Sequence, residues 1–327
     1  MISPQLDVKI GQTIVQSFAT AAMMIERFHR IIAGISNRHA VFDIQSGWSS
    51  ALSSRSRDCP DQAAQAMNIL TEIAREVRDV IRIGPAFPLR HISELIGRRL
   101  HTTKVGGVRV HLRSRSTDGE VFRQIFARRQ YDFSGTEQFR RLEVCYNSLL
   151  SSGTVPVIID AGANVGAAAI WFSQLFPLAR VVAIEPDPQN ASLCKLNTHG
   201  LANVHVLEAA FGCSNGRVNL MDTDKEAWAV RTIRSEATGS VPVLTVDNIL
   251  RHAGEKVSLL LVKIDIEGFE EDVFSANTEW LMDTKAVIIE PHDWLFPGRY
   301  SSHSFQAAIA GEQFELLVRG ENLIYIR

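Results

Sequence analysis

The chain has 327 residues, of which 46% are hydrophobic and 21% charged, a composition typical of a globular protein with one large or two ordinary domains. It contains no run of about 18 uncharged apolar residues, so no membrane span is predicted. The first residues also lack the basic-then-apolar pattern of a secretory signal. The four cysteines form no C-x-x-C pair and no cluster with histidine, which indicates reduced thiols and a cytoplasmic protein.

The net charge of −2 hides an asymmetry along the chain. Residues 1–141 carry 21 Lys and Arg against 13 Asp and Glu, whereas residues 142–327 carry 13 against 23. The basic half has no interleaved aromatic residues, so nucleic-acid binding is not predicted. The acidic half favours a cationic ligand over a polyanionic one, although the asymmetry also fits simple attraction between the two halves.

The N-terminal part of the chain predicts helices without recognisable chemistry. Apolar residues recur at intervals of three and four over residues 10–33 and again over about 60–83, and a shorter helix is expected over 91–100. We interpret residues 1–103 as a helical cap or oligomerisation region. The apolar face of the first helix favours a homodimer unless the rest of the chain covers it. Residues 104–113 alternate apolar and polar side chains around a Gly-Gly pair, which predicts a hairpin.

A buried strand, a glycine-containing turn and a helix follow one another from residue 155 onward. The strand is an apolar run that ends in Asp160, and Gly162 and Gly166 bracket the turn. A second strand ends in Glu185, 25 residues after Asp160. This is the spacing of a strand–helix–strand unit whose second strand carries a ribose-binding acid.

Two ligands use this layout. Asn164 stands where a dinucleotide fingerprint has its second glycine, so its side chain would obstruct a pyrophosphate, and Asp160 would face that anion unfavourably. S-adenosylmethionine has no phosphate and carries a cationic sulfonium, so the D-x-G-x-x-x-G spacing favours it. The alternatives are a nicotinamide-dependent oxidoreductase and a glycine turn without any ligand.

The later strands also end in polar or small residues. A third strand over 204–207 precedes Ala210 and Phe211, which are expected beside an adenine. A fourth over 259–265 and a fifth over 286–289 lead into candidate site residues at the carboxyl edge of the sheet, where open α/β sheets bind ligands. Those candidates are Lys263, Asp265, Glu267 and His292. Between the third and fourth strands, residues 221–240 are polar and are expected to be irregular. This segment, which includes Trp228, is interpreted as an exposed insertion and a candidate substrate lid.

Four sequence blocks together resemble the FkbM-type family of S-adenosylmethionine-dependent methyltransferases. They are residues 159–166, 184–186, 209–212 and 262–268. The resemblance covers roughly residues 104–327, which we therefore expect to be the methyltransferase domain. It implies an α/β, class I methyltransferase (Rossmann-like) fold with a seven-stranded sheet and an antiparallel C-terminal hairpin. It also implies methyl transfer, often to a hydroxyl of a sugar, a glycan or a natural product.

The resemblance also assigns individual residues. The blocks that bind S-adenosylmethionine match Asp160, Gly162, Asn164, Gly166, Glu185, Pro186, Ala210, Phe211 and Asp265. The signature after the fourth strand adds Lys263 and Glu267. This chain departs from the family in two places: Ala161 replaces a common isoleucine, and Pro291 occupies the position between an acid and His292 where an apolar residue is usual.

The expected reaction is a direct displacement, in which a substrate hydroxyl attacks the methyl group in line with the sulfur. Holding the two reactants in this geometry accelerates the reaction. Either His292 or Asp265 would accept the hydroxyl proton. No metal is predicted, although Asp265 with Glu267 offers the ligands for a divalent cation that would lower the pKa of the hydroxyl. A scaffold protein that binds S-adenosylmethionine without turnover is a further alternative. The sequence does not identify the acceptor.

Overall fold

The computed structural model describes residues 71, 74–90, 97–221, 231–234, 240–295 and 297–327. The helix expected over 10–33, most of the helix expected over 60–83, and Trp228 lie outside the described residues. Of the helix expected over 91–100, only the last four residues are described, and they are not helical, because the first strand begins at Leu100.

The described residues from Ala74 onward form one compact unit, Ala74–Arg327. This unit begins ahead of the boundary at residue 104 that the sequence predicts. Residues 74–82 are helical, and Asp79 on this helix accepts a hydrogen bond of 2.7 Å from Arg123. The contact places this helix against the segment that follows the first hairpin.

After the helix at residues 74–82, the described residues contain thirteen strands and eight further α-helices. In chain order the strands are β1 (Leu100–Val105), β2 (Val108–Arg113), β3 (Val155–Ala161), β4 (Arg180–Glu185), β5 (Val204–Glu208), β6 (Ala210–Phe211), β7 (Gly216–Met221), β8 (Arg231–Arg234), β9 (Val241–Leu244), β10 (Val257–Ile264), β11 (Ala286–Ile289), β12 (Glu315–Arg319) and β13 (Asn322–Ile326). The helices are α1 (Asp118–Phe122), α2 (Glu137–Ser151), α3 (Ala167–Leu175), α4 (Pro188–Thr198), α5 (Val246–Ala253), α6 (Glu270–Val273), α7 (Trp280–Asp283) and α8 (His303–Ala310).

A seven-stranded sheet forms the centre of the described unit, in the order β12-β13-β11-β10-β3-β4-β5. The strands β11, β10, β3, β4 and β5 are parallel, and β13 runs antiparallel to both β11 and β12. The chain moves from β3 outward to β4 and β5, then returns to the other side of β3 at β10. The carboxyl ends of β3 and β10 therefore flank the point where the strand order reverses.

Both faces of this sheet are covered, which explains why its strands read as continuous apolar runs. Alternate residues of β3 point to opposite layers, so Ile158 packs in one core and its neighbours Val157 and Ile159 in the other. The first layer includes residues of α2 and α3, among them Leu142 and Ile170. The second includes residues of α5 and α8, among them Ile249 and Phe305.

Two smaller sheets flank the central one. The β1–β2 hairpin confirms the hairpin predicted over 104–113. The strands β6, β9, β7 and β8 form a four-stranded sheet. Residues 231–234 are thus a strand that pairs with β7, so the expectation that 221–240 is wholly irregular is wrong. Pairing with a distant strand overrides the weak local pattern of this polar stretch.

The helix ends follow local rules. Thr136 caps α2 by accepting a hydrogen bond from the backbone N–H of Phe139, and Asp187 caps α4 in the same way through Asn190. A proline stands in the first turn of α4, where its missing N–H costs nothing. These caps fix where α4 begins, directly after the end of β4.

None of the helices in the described ranges combines the length and apolar character needed to cross a membrane.

The turn after β3 approaches the end of β10 very closely. Gly162 has a φ of 76°, in the left-handed region that favours glycine. A Cβ added to it would lie 1.7 Å from the backbone oxygen of Asp265. The backbones of the turn and of the β10 end therefore pack together without room for any side chain at this position.

We predict that Gly162→Ala strongly destabilises the protein, whereas Gly107→Ala is a matched control with a smaller effect. Gly107 also has a left-handed φ, of 84°, but no atom within 4 Å of an added Cβ. The unfavourable backbone conformation costs about 1–2 kcal/mol at either site, and overpacking adds about 1–3 kcal/mol at Gly162. Urea denaturation of both variants measures the difference, and equal losses would show that the close approach is not a constraint.

Candidate cofactor and catalytic site

A cleft opens at the carboxyl ends of β3, β4 and β10, where the order of strands reverses. Open α/β sheets bind ligands at such points. The cleft holds about 600 Å³ of empty space, open solvent included. Its lining consists of Gly162, Asn164, Ile184, Glu185, Pro186, Asn190, Ala209, Ala210, Phe211, Asp265, Ile266, Glu267 and Phe269.

Seven of the nine residues that the sequence assigns to the cofactor line this cleft. The other two, Asp160 and Gly166, lie behind it. The side chain of Asp160 is completely buried. Gly166 precedes α3 with a φ of 91°, and a Cβ there would lie 3.0 Å from the Sγ of Cys194 on α4. Both residues therefore shape the turn rather than the surface of the cleft.

Glu185 connects the end of β4 to the glycine turn. Its Oε2 accepts a hydrogen bond of 2.7 Å from the backbone N–H of Asn164, and its Oε1 accepts one of 3.0 Å from that of Asp187. Burial raises the pKa of Glu185 to about 7, although these two N–H groups oppose the shift. Each carboxylate oxygen can accept a second hydrogen bond, so Glu185 can hold the turn and still receive ligand hydroxyls.

Sequence reasoning missed five lining residues, which are Ile184, Asn190, Ala209, Ile266 and Phe269. Three of them, Ile184, Ala209 and Ile266, lie inside the sequence blocks that carry the resemblance but were not assigned to the site, and Phe269 directly follows the last block. Asn190 is different, because it lies on α4 and its Oδ1 accepts a hydrogen bond of 2.8 Å from Arg113 on β2. No local signal in the sequence indicates that long-range contact.

Phe211 is more deeply packed than expected for a residue beside an adenine. It is almost fully buried, and its ring lies edge-on to Trp280 with centroids 6.4 Å apart. Phe211 still contributes to the cleft wall, together with Phe269 from the loop after β10. Both aromatic residues thus stand on the side of the cleft formed by Ala209 and Ala210.

Lys263 lies beneath the glycine turn and is only 2% exposed. The register of β10 on β3 places Lys263 beside Asp160, and their charged atoms are 3.2 Å apart. The ammonium also donates to the backbone oxygens of Ala161, at 3.2 Å, and Gly162, at 2.8 Å. Burial alone would lower the pKa of Lys263, but Asp160, Tyr131 and Asp265 together outweigh it and keep the pKa above its ordinary value. Lys263 is thus a charged anchor for the turn.

A second group of titratable side chains adjoins the cleft at the ends of β10 and β11. The Nε2 atom of His292 lies 3.6 Å from Asp265 Oδ1, 3.7 Å from Glu267 Oε2 and 4.0 Å from Glu290 Oε1. Its Nδ1 lies 2.7 Å from Glu270 Oε1. The imidazole is therefore surrounded by four carboxylates, although it was predicted as an isolated candidate base.

These carboxylates change the chemistry expected of His292. Burial alone would lower its pKa, but the hydrogen bond and charge of Glu270 reverse this and raise the pKa to about 9. An imidazole with that pKa is protonated at neutral pH and cannot accept a proton from a substrate. Of the two predicted bases, Asp265 is then the better candidate, because it lines the cleft and its side chain is 27% exposed.

Two glutamates of this group hold their protons more tightly than usual. Burial, assisted by the charge of Asp265, raises the pKa of Glu267 to about 7 and that of Glu290 to about 8. Carboxylates with such values are typical of functional sites, where like charges are brought together. The cluster therefore has the properties of a binding or catalytic centre rather than of a solvated acidic surface.

We predict that Lys263→Met lowers the free energy of unfolding by about 3–5 kcal/mol, because it leaves the buried Asp160 without its counter-charge. Adding Asp160→Asn to that variant removes the uncompensated charge and is expected to recover part of the loss. Lys195→Met serves as the control, since this half-exposed lysine lies 3.9 Å from Glu208 and should change stability by less than about 1 kcal/mol. Urea denaturation provides the measurement. If Lys263→Met alone were as stable as the variant that also carries Asp160→Asn, the result would contradict the pairing of Lys263 with Asp160.

Comparison with known proteins identifies relatives over the part of the chain that contains this cleft. Residues 160–307 match the family described as the methyltransferase FkbM domain. The 2-O-methyltransferase NoeI of Sinorhizobium fredii is 30% identical over 156 residues, which are 42% of this chain and 64% of the relative. The hexuronic acid methyltransferase AglP of Haloferax volcanii is 26% identical over 142 residues, which are 43% of this chain and 58% of the relative.

The matches thus span less than two thirds of the length of either relative. Among solved structures, a putative O-methyltransferase from Klebsiella pneumoniae aligns over 58% of this chain and 79% of its own, at 13% identity and a TM-score of 0.34. A likeness that low carries no weight in the assignment. The family match begins at Asp160 and includes Glu185, Asp265 and His292. Residues 160–307 of this chain, which form the cleft, are therefore similar to the methyltransferase FkbM domain.

Proposed function

We propose that this protein transfers a methyl group from S-adenosylmethionine to a hydroxyl of a sugar, a glycan or a natural product. The observation that carries the proposal is the composition of the cleft at the strand switch point. Its charged lining residues are Glu185, Asp265 and Glu267, with no lysine or arginine among the residues found there. Such a lining attracts a cationic sulfonium and disfavours the pyrophosphate of a dinucleotide, which argues against a nicotinamide-dependent oxidoreductase.

The order of the strands supports a class I methyltransferase fold. The antiparallel β13 is inserted between the parallel strand β11 and the edge strand β12, which is the closing hairpin that the family resemblance implies. We also propose that residues 104–327 form the methyltransferase domain and that residues 1–103 serve as a cap or oligomerisation region. The homodimer suggested by residues 10–33 belongs to that proposal.

The residues present fit S-adenosylmethionine in each part of the cleft. Glu185 has free acceptor capacity for the two hydroxyls of a ribose. Ala210 leaves space beside Phe211 and Phe269 for a flat adenine ring. Asp265 lies next to Gly162 at the end of the cleft formed by β3 and β10, where its charge suits the sulfonium and amino groups of the methionine part.

When bound, S-adenosylmethionine supplies an electrophilic methyl group, and the new carbon–oxygen bond forms as the carbon–sulfur bond breaks and its electron pair stays on sulfur. Asp265 accepts the hydroxyl proton, because it is the acid of the cluster that both lines the cleft and is partly exposed. The protonated His292 and the ammonium of Lys263, each 3.6 Å away, hold Asp265 in position.

The acceptor is proposed from the printed activities of the relatives. One is a 2-O-methyltransferase and the other a hexuronic acid methyltransferase. A sugar hydroxyl is the acceptor class on which both names converge. The acidic surroundings of Asp265 disfavour a polyanionic acceptor.

We predict that Glu185→Gln weakens binding of S-adenosylhomocysteine by at least about tenfold, because the amide accepts the ribose hydroxyls less strongly than a carboxylate. Calorimetric titration at pH 8, above the pKa of Glu185, ensures that the wild-type group is ionised. Glu208→Gln is the matched control, since Glu208 ends the neighbouring strand β5 and is exposed. Titration with NADH runs alongside. Binding of NADH in place of S-adenosylhomocysteine would overturn the proposed cofactor.

We predict that Asp265→Asn reduces methyl transfer by about 10²–10⁴-fold, as expected for loss of a proton acceptor. Binding of S-adenosylhomocysteine should weaken by a smaller factor, because this product lacks the sulfonium charge and keeps only the amino group near Asp265. The assay measures S-adenosylhomocysteine formed from S-adenosylmethionine with a panel of neutral monosaccharides, methyl glycosides and hexuronic acids. Asp247→Asn, at an exposed position on α5, should retain the wild-type rate. Tight cofactor binding without turnover on any acceptor would favour the scaffold alternative instead.

A further inference from the structure

We propose that Asp265, Glu267 and His292 bind a divalent transition-metal cation beside the cofactor cleft. One oxygen of each carboxylate and one nitrogen of the imidazole all lie within 4.8 Å of one another. The three residues come from the loop after β10 and the segment after β11, which the parallel sheet brings to one edge. The sequence pointed to two of these ligands, and the fold adds the third.

His292 has the surroundings of a metal-binding histidine. Its side chain is 2% exposed, and its Nδ1 lies 2.7 Å from a carboxylate oxygen of Glu270. Because a carboxylate accepts, Nδ1 carries a proton and Nε2 is turned toward Asp265 and Glu267. Histidines that bind metals commonly donate their second N–H to a carboxylate, which fixes the ring and its tautomer.

The atoms that face the centre of this group lack ordinary hydrogen bonds. The carboxylate oxygens around Nε2 lie at 3.6, 3.7 and 4.0 Å, beyond the range of about 2.7–3.2 Å for an N–H···O hydrogen bond. The Oε2 atom of Glu267 is buried and has no hydrogen-bond partner among the described residues. The unpartnered Oε2 of Glu267 and the Nε2 of His292 lie 3.7 Å apart and face the same gap, which a ligand would satisfy.

The charges around this gap are also unbalanced. Lys263 pairs with Asp160 and with Asp265. Among the residues that the structure describes, the ion pairs of Glu267, Glu270 and Glu290 all involve His292 alone. One imidazole is thus the shared partner of three acidic side chains, which leaves this group with more acidic side chains than cationic ones.

The spacing and chemistry of the ligands indicate which cations fit. Metal–ligand distances of about 2.0–2.2 Å place adjacent ligand atoms roughly 3 Å apart. The separations of 3.6 and 3.7 Å from Nε2 are slightly longer than this, and all three ligand atoms lie within 4.8 Å of one another. One imidazole nitrogen with two carboxylate oxygens suits Mn²⁺ or Zn²⁺ better than Ca²⁺. Asp265 and Glu267 are partly exposed and line the cleft, which gives the ion a path from solvent.

Such a cation would leave coordination positions open toward the cleft. An acceptor hydroxyl that occupied one of them would ionise more readily, as water does on a bound metal. The cation site shares Asp265 with the proposed methyl transfer, but binding of the ion can be measured without cofactor or acceptor. The two proposals are therefore tested by separate experiments.

Titration of the chelator-treated full-length protein with Mn²⁺, followed by the electron paramagnetic resonance signal of the free ion, tests the site. We expect one Mn²⁺ per chain with a dissociation constant in the micromolar range, and displacement by Zn²⁺. Glu267→Gln should weaken binding at least tenfold. Glu271→Gln makes the same change at an exposed position in α6 and should bind as the wild type does.

Circular dichroism of both variants establishes that they are folded, and Asp265→Asn provides a second variant of the site. The absence of Mn²⁺ binding to the folded wild type would overturn the cation site, and the group would then be a protonated imidazole among carboxylates. Binding that is equal in Glu267→Gln and Glu271→Gln would overturn it as well, because the ion would then lie elsewhere.

Discussion

The buried ammonium of Lys263 holds together the strand ends on which the cleft depends. It neutralises Asp160 on the adjacent strand and donates to two carbonyl oxygens of the glycine turn. Burying either charge alone would cost several kcal/mol, so the pair is stable only as a pair. Its contacts also explain why the turn after β3 can lie directly against the backbone at the end of β10, where Gly162 leaves no space for a Cβ.

Glu185 likewise ties two backbone segments together, on the opposite side of the cleft. Its two oxygens accept backbone N–H groups from the glycine turn and from the start of α4. A carboxylate that is already held in this way loses little conformational freedom when a ligand binds. Burial disfavours the charged carboxylate and thereby raises the pKa of Glu185. Structural and binding roles are thus combined in one side chain.

The group around His292 shows how neighbours decide the role of a titratable residue. A histidine that follows a strand at the ligand edge is a reasonable candidate base, but four nearby carboxylates keep this one protonated in the absence of another cation. Either a proton or a metal ion must offset their charge. Asp265 lies between His292 and Lys263, so the charges of both side chains act on it. It also lines the cleft.

The sequence by itself determined the parallel strands, the glycine turn and most residues of the cleft, because apolar runs and glycine spacing are local signals. Tertiary structure decided the rest. The pairing of Lys263 with Asp160 depends on the register between two strands distant in the chain. The protonation of His292 depends on Glu270, whose position comes from packing. Only the folded chain shows that Asp160 and Gly166 lie behind the cleft, since burial follows from which elements cover a turn, not from its sequence.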